Sequence, residues 1–140
     1  MKFSMNNGII IIFEKNCIDT IEIQIFKLTF NKKIKICLVN NGNNEKIFKF
    51  LDALKDSSEC DISILNLRKE KTTMMAVKAG VRFLSNKNNI NLIIYATPKS
   101  ICNPKTIHKI LKFFERDLKT KKDKRVLLRG VYSIQEAFEL

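Results

Sequence analysis

The feature that most constrains the fold is a set of five short apolar runs that recur at regular spacing along the chain. They are rich in Ile, Val and Leu and are bounded by Asn, Gly, Lys or Pro, as β-strands usually are. Most are apolar throughout and do not alternate with polar residues, which favours strands covered on both faces, as in a parallel sheet. The predicted strands occupy residues 9–13, 34–39, 61–65, 91–96 and 125–129.

Helical patterns lie between these runs. In the segment 72–85, Met75, Ala79 and Phe83 are spaced four residues apart, which predicts a helix with one apolar stripe. Before the segment 45–55, Asn43 or Asn44 can cap the first turn of a helix. Segment 18–30 fits a strand by its alternating isoleucines and also fits a helix stripe; we predict a helix, because the order of strand and helix then runs unbroken. The other predicted helices cover residues 45–55, 72–85 and 104–118.

The alternation of strands and helices predicts an α/β fold: a three-layer sandwich with a mostly parallel sheet of about five strands. A length of 140 residues suits one domain, which we place at 1–140. The longest apolar run, at 9–13, is far shorter than the roughly 20 residues that a bilayer span needs. We therefore expect a cytoplasmic protein with no transmembrane segment.

The net charge of +12 is concentrated late in the chain. The basic residues are 21 Lys and 5 Arg, and residues 99–129 combine 11 positive with 3 negative side chains. One interpretation is contact with an anionic partner, and the other is a solvated surface in a chain that is rich in Lys, Ile and Asn throughout. No aromatic residue alternates with the basic run at 119–125, which argues against nucleic acid as the partner.

Candidate binding residues follow the predicted strands, because ligands of an open parallel sheet bind beyond the carboxyl ends of its strands. Asn is frequent there. An Asn after a strand also closes turns with the nearby backbone, so each has a structural interpretation beside the functional one. The candidates are Phe13 and Asn16 after the first strand, Asn40 and Asn41 after the second, Asn66 after the third, and Thr97 and Lys99 after the fourth.

The order and spacing of these segments resembles the family-2 nucleotide-sugar glycosyltransferases, which have the GT-A fold. The sequence Val39-Asn-Asn-Gly-Asn-Asn-Glu45 is similar to the family's Val-Asp-Asp-Gly-Ser-x-Asp. Asn66 leads to Ala76-Val-Lys-Ala-Gly80, which is similar to the family's Ala-x-x-x-Gly. Of the family's first segment, Pro-x-Tyr-Asn-Glu, only Asn16 is kept. The resemblance covers residues 8–130 and implies the nucleotide-binding half of a GT-A fold.

The resemblance also implies a ligand, a nucleotide-sugar of the uridine diphosphate type. Asn40 stands where the family has an Asp that holds the uracil edge, and its amide can both accept from and donate to that ring. The family's Asp-x-Asp motif binds Mg²⁺ or Mn²⁺, whereas Thr97 and Lys99 stand at those positions and supply no carboxylate. We therefore expect nucleotide binding that depends little on a divalent metal.

Catalytic residues stay unknown at this point. The family's catalytic base and acceptor-binding segment follow the fifth strand, where residues 130–140 offer only Glu136 and Glu139, which also suit a solvated helix. Three functions stay open: a glycosyltransferase-like protein with a nucleotide-sugar-binding fold, active or inactive, a non-catalytic basic module that contacts nucleic acid or another anionic partner, and a protein partner within a larger transferase.

Overall fold

The computed structural model describes residues 6–15, 33–87, 90–101, 104–119 and 130–139. The five strands in these ranges form one sheet in the order β3-β2-β1-β4-β5, and every neighbouring pair is parallel. The strands are β1 (Asn6–Phe13), β2 (Ile34–Asn41), β3 (Asp61–Leu67), β4 (Ile90–Ala96) and β5 (Val131–Ser133).

Helices cover both faces of this sheet, which gives three layers. The described helices are α1 (Glu45–Ser57), α2 (Thr73–Lys87), α3 (Pro98–Ile101), α4 (Pro104–Lys119) and α5 (Ile134–Glu139). One face of the sheet packs against α1, α3, α4 and α5, and the other face packs against α2. The predicted α/β class and the parallel sheet are confirmed.

The central strand β1 is buried on both faces because its side chains alternate between two separate apolar clusters. Ile9, Ile11 and Phe13 belong to the cluster beneath α1 and α4, whereas Ile10 and Ile12 belong to the cluster beneath α2. All five side chains are at most 2% exposed. An unbroken apolar run is therefore what this position in the sheet requires.

Four predicted strands and three predicted helices are confirmed, with ends that move by at most three residues. The fifth described strand is β5, whereas the strand predicted at 125–129 and the helix predicted at 18–30 lie outside the described residues. The cap predicted at Asn44 is also confirmed, and the structure adds one at Thr72. Asn44 Oδ1 accepts the backbone N–H of Ile47 at 3.0 Å, and Thr72 Oγ1 accepts that of Met75 at 3.3 Å.

The apolar stripe predicted for α2 is confirmed at Phe83, which packs against the cluster under this helix, and is wrong at Met75. Met75 is 52% exposed, and the helix buries Ala76 and Val77 instead. The reason lies at Gly80, where an added Cβ would stand 3.0 Å from both Cγ2 and Cδ1 of Ile10. Small residues at 76 and 80 let the helix approach β1 closely, and that contact sets the rotation of α2 about its axis.

Candidate functional site

A cleft opens at the carboxyl edge of the sheet. Its volume is about 310 Å³, and it lies where the strand order reverses between β1 and β4. Such reversals are where open α/β sheets bind ligands. The cleft is lined by Ile12 from β1, Thr73 from α2, Tyr95 and Ala96 from β4, Thr97 and Ser100 around α3, and Ser133, Ile134 and Gln135 around α5.

The wall of the cleft formed by the end of β4 and by α3 carries three hydroxyl groups. Ser100 Oγ donates to the backbone oxygen of Thr97 at 3.0 Å, and the two hydroxyl oxygens of Thr97 and Ser100 are 3.1 Å apart. The Tyr95 hydroxyl donates to Sδ of Met74 at 3.8 Å. The nine described lining residues include no charged side chain, so this surface suits a neutral polar group.

Another part of the lining is fixed by a capping box at the start of α5. Ser133 Oγ accepts the backbone N–H of Glu136 at 3.1 Å, and Glu136 Oε1 accepts the backbone N–H of Ser133 at 2.8 Å. Glu136, one of the two carboxylates considered as a base, thus has a structural partner. Reading of the sequence missed this part of the site, although Ser133-x-x-Glu136 is a recognisable helix-start signal.

Asn40, Asn44 and Asn66 form an asparagine cluster at the carboxyl ends of β2 and β3. The Nδ2 group of Asn40 donates to the backbone oxygen of Asn44 and to Oδ1 of Asn66, both at 2.9 Å. Its Oδ1 accepts the backbone N–H of Asn44 at 3.1 Å. Both amide hydrogens of Asn40 are therefore used within the protein, and its side chain is fully buried.

Asn41, the last residue of β2, forms hydrogen bonds with the segment that precedes α2. Its Oδ1 accepts the backbone N–H of Lys71 at 2.8 Å, and its Nδ2 donates to the backbone oxygen of Lys71 at 2.9 Å. The turn between β2 and α1 has positive φ angles at Gly42 (102°) and Asn43 (52°), where Gly and Asn are the tolerated residues. This hydrogen bonding gives the Asn-rich segment a structural role.

The other predicted binding residues separate in space. Thr97 lines the cleft, and Lys99 is exposed on α3 next to it. Phe13 is fully buried in the core, where its ring packs edge-on against Phe50 with centroids 5.9 Å apart. Asn16 lies outside the described residues. At the carboxyl edge of the sheet, Asn40 therefore contacts Asn66, and Thr97 lies separately in the cleft.

Charged side chains of the described residues lie outside the cleft. Lys105, Lys109 and Lys112 are exposed on the outer face of α4, and Lys109 Nζ lies 5.4 Å from the centre of the Phe138 ring. Most of the basic run at 119–125 is outside the described ranges. Among the described residues, no three His, Cys, Asp or Glu side chains are grouped so that they could hold a metal ion.

Comparison with protein-family models, with curated proteins and with solved structures finds no match to this chain. Within the described part of the chain, no helix is both long and apolar enough to cross a membrane.

Proposed function

We propose that this chain binds a nucleotide of the kind found in nucleotide-sugars, in the cleft at the carboxyl edge of its sheet, and that it does so without transferring the sugar. The observation that carries the proposal is the position of the cleft, at the reversal of strand order in an all-parallel sheet. The resemblance to family-2 glycosyltransferases supports the same ligand class.

The size and lining of the cleft fit the nucleoside part of such a ligand. A volume of about 310 Å³ is at the lower end of the range of small-molecule sites. Ile12 and Ala96, which contribute to the lining, are nearly buried and offer an apolar contact for a ring. Hydroxyl groups at the rim supply the few polar contacts that fix orientation in sites of this kind.

The residues after β4 do not suit metal-dependent sugar transfer. Where the family has Asp-x-Asp, this chain has Thr97, a buried Pro98 and Lys99. A hard divalent cation prefers carboxylate oxygens, and a lysine ammonium would repel it. In this proposal the phosphates of a nucleotide whose nucleoside occupies the cleft extend toward the exposed Lys99 on α3, whose positive charge attracts them.

Calorimetric titration with the diphosphates of uridine, cytidine, adenosine and guanosine tests this proposal. We expect at least one to bind, with an affinity that excess Mg²⁺ leaves nearly unchanged. Ser100→Trp should weaken binding by about tenfold or more, because an indole would occupy the cleft, and about 1.4 kcal/mol of lost contact suffices for that factor.

The matched control is Ser85→Trp, which places the same side chain at an exposed position near the end of α2 and should leave binding unchanged. Absence of binding by all four diphosphates contradicts the proposed function. Equal weakening by the two Trp variants contradicts the location. A strong requirement for Mg²⁺ contradicts the assignment of a metal-independent site.

A further inference from the structure

We propose that the outer face of α2, together with the loop that precedes this helix, binds the surface of a bilayer that contains anionic lipid. The proposal concerns a surface outside the cleft and does not depend on nucleotide binding. This surface, the basic methionine face, consists of Arg68, Lys69 and Lys71 in the loop and of Met74, Met75, Lys78 and Arg82 on the helix, all of them exposed.

The spacing of residues along α2 places its exposed side chains on one side of the helix. Ala76 and Val77 are buried against the sheet. Met75, Lys78 and Arg82 follow the i, i+3, i+7 spacing of a single helix face, and all three are exposed. They therefore form a row on the side of α2 that is turned away from the sheet.

Two large apolar side chains of the basic methionine face are exposed. Met74 and Met75 are 51% and 52% exposed, and among the described residues the other exposed large apolar side chain is Phe48 on α1, at 38%. Apolar surface that is rimmed by polar or charged residues is typical of membrane and protein interaction sites. Methionine is flexible and adapts to irregular apolar surroundings, which suits the boundary between headgroups and acyl chains.

The charge of the basic methionine face is almost entirely positive. Residues 68–82 include five basic residues and one acidic residue, Glu70. Helix α1, against the other face of the sheet, carries equal numbers of exposed charges of each sign: Lys46, Lys49 and Lys55 against Glu45, Asp52 and Asp56.

This difference between two helices of one chain shows that the positive excess is local. A high lysine content of the whole chain would raise the charge of both helices alike. Anionic lipid headgroups are complementary to such a face, because each Lys or Arg close to an anionic membrane strengthens binding by about fivefold.

The combination of positive charge with exposed methionine favours lipid over nucleic acid. Basic surfaces bind nucleic acid through phosphate contacts, to which a thioether side chain contributes little, and single strands stack on aromatic side chains. Residues 68–82 include no aromatic residue. A bilayer engages both components, since basic residues attract the headgroups while apolar side chains enter the interface.

A single tryptophan can report insertion of this face, because the chain contains no Trp. On addition of vesicles made of phosphatidylserine and phosphatidylcholine in equal parts, the emission of Met75→Trp should shift to shorter wavelength and be quenched by brominated acyl chains. Phe48→Trp, on the outer side of α1, is the matched control and should show neither change. Vesicles of phosphatidylcholine alone should leave both variants unchanged.

Charge reversal tests the electrostatic part. In vesicle cosedimentation, the double variant Lys78→Glu with Arg82→Glu should bind about 25-fold more weakly than the parent or worse, since each lost cation counts about fivefold. The control, Lys46→Glu with Lys49→Glu, reverses the same number of exposed charges on α1. It should weaken binding by less than about threefold, because exposed charges are screened beyond roughly 10 Å.

Absence of binding to the anionic vesicles overturns the proposal. Equal losses in the two charge-reversal variants, or equal responses of Met75→Trp and Phe48→Trp, overturn the assignment to this face. Binding of duplex DNA that is lost on reversal of Lys78 and Arg82, with no response of Met75→Trp to vesicles, overturns lipid as the partner in favour of nucleic acid. The nucleoside diphosphate titrations test the cleft separately.

Discussion

Replacing Asn40 by Asp is expected to lower the free energy of unfolding by about 3 kcal/mol, the cost of leaving buried hydrogen-bonding groups unmatched. The buried Asn40 amide donates to two oxygens, those of Asn44 and Asn66. An ionised carboxylate has no proton to donate and would face both oxygens at about the same separation. Urea unfolding at neutral pH measures the difference.

Asn66→Asp is the matched control for that variant. Asn66 is exposed and accepts from Asn40, and a carboxylate accepts at least as well as an amide oxygen. We expect its stability to stay within about 0.5 kcal/mol of the parent. If Asn40→Asp is as stable as the parent, the hydrogen bonds that the Asn40 amide donates do not contribute to stability, and the family's Asp would be tolerated here.

Replacing Gly80 by Val is expected to cost about 2 to 3 kcal/mol, as overpacking of a well-packed core does. The new Cβ alone would stand 3.0 Å from Cγ2 of the fully buried Ile10. That methyl group is attached to Cβ, and the restricted rotamers of a β-branched residue prevent it from moving away cheaply. Thermal or urea unfolding shows the loss as a lower transition midpoint.

Two further variants isolate this contact. Ser85→Val adds the same side chain at an exposed position of the same helix and should change stability by less than about 0.5 kcal/mol. Combining Gly80→Val with Ile10→Ala should cost at least about 1 kcal/mol less than the sum of the two single changes, since contacting residues are not additive. Full additivity contradicts the close approach of α2 to β1.

The sequence predicts strands and helices well where burial on both sides determines the pattern. β1 is the clearest case, because its side chains alternate between two clusters and leave no polar position between residues 9 and 13. The stripe predicted for α2 was wrong at Met75 because a contact between residues far apart in the sequence sets the rotation of the helix. The close contact between Gly80 and Ile10 joins residues 70 positions apart and rotates the helix so that Met75 faces outward.

The candidate site was predictable only in part. The general rule for open sheets points to the carboxyl edge, where the structure has a cleft that Thr97 lines. Asn40 and Asn41 also lie at that edge, yet their amides hold the backbone of neighbouring segments. An Asn amide forms the same hydrogen bonds whether it caps a helix, closes a turn or binds a ligand. The residue type and its position after a strand therefore cannot distinguish a structural Asn from a ligand-binding Asn. Ser133 is the last residue of β5, and Gln135 follows it on α5. The strand β5 has three residues and is too short to recognise from the sequence.

The turn after β2 has a consequence for chemical ageing of the chain. An Asn followed by Gly is prone to deamidation, because the Gly nitrogen attacks the side-chain carbonyl carbon and expels ammonia, and water then opens the resulting succinimide to Asp or isoaspartate. In the folded protein the Asn41 side chain is 2% exposed and is held by two hydrogen bonds to Lys71, which keep it from rotating toward the nitrogen of Gly42. Deamidation at this pair therefore reports how often the turn opens.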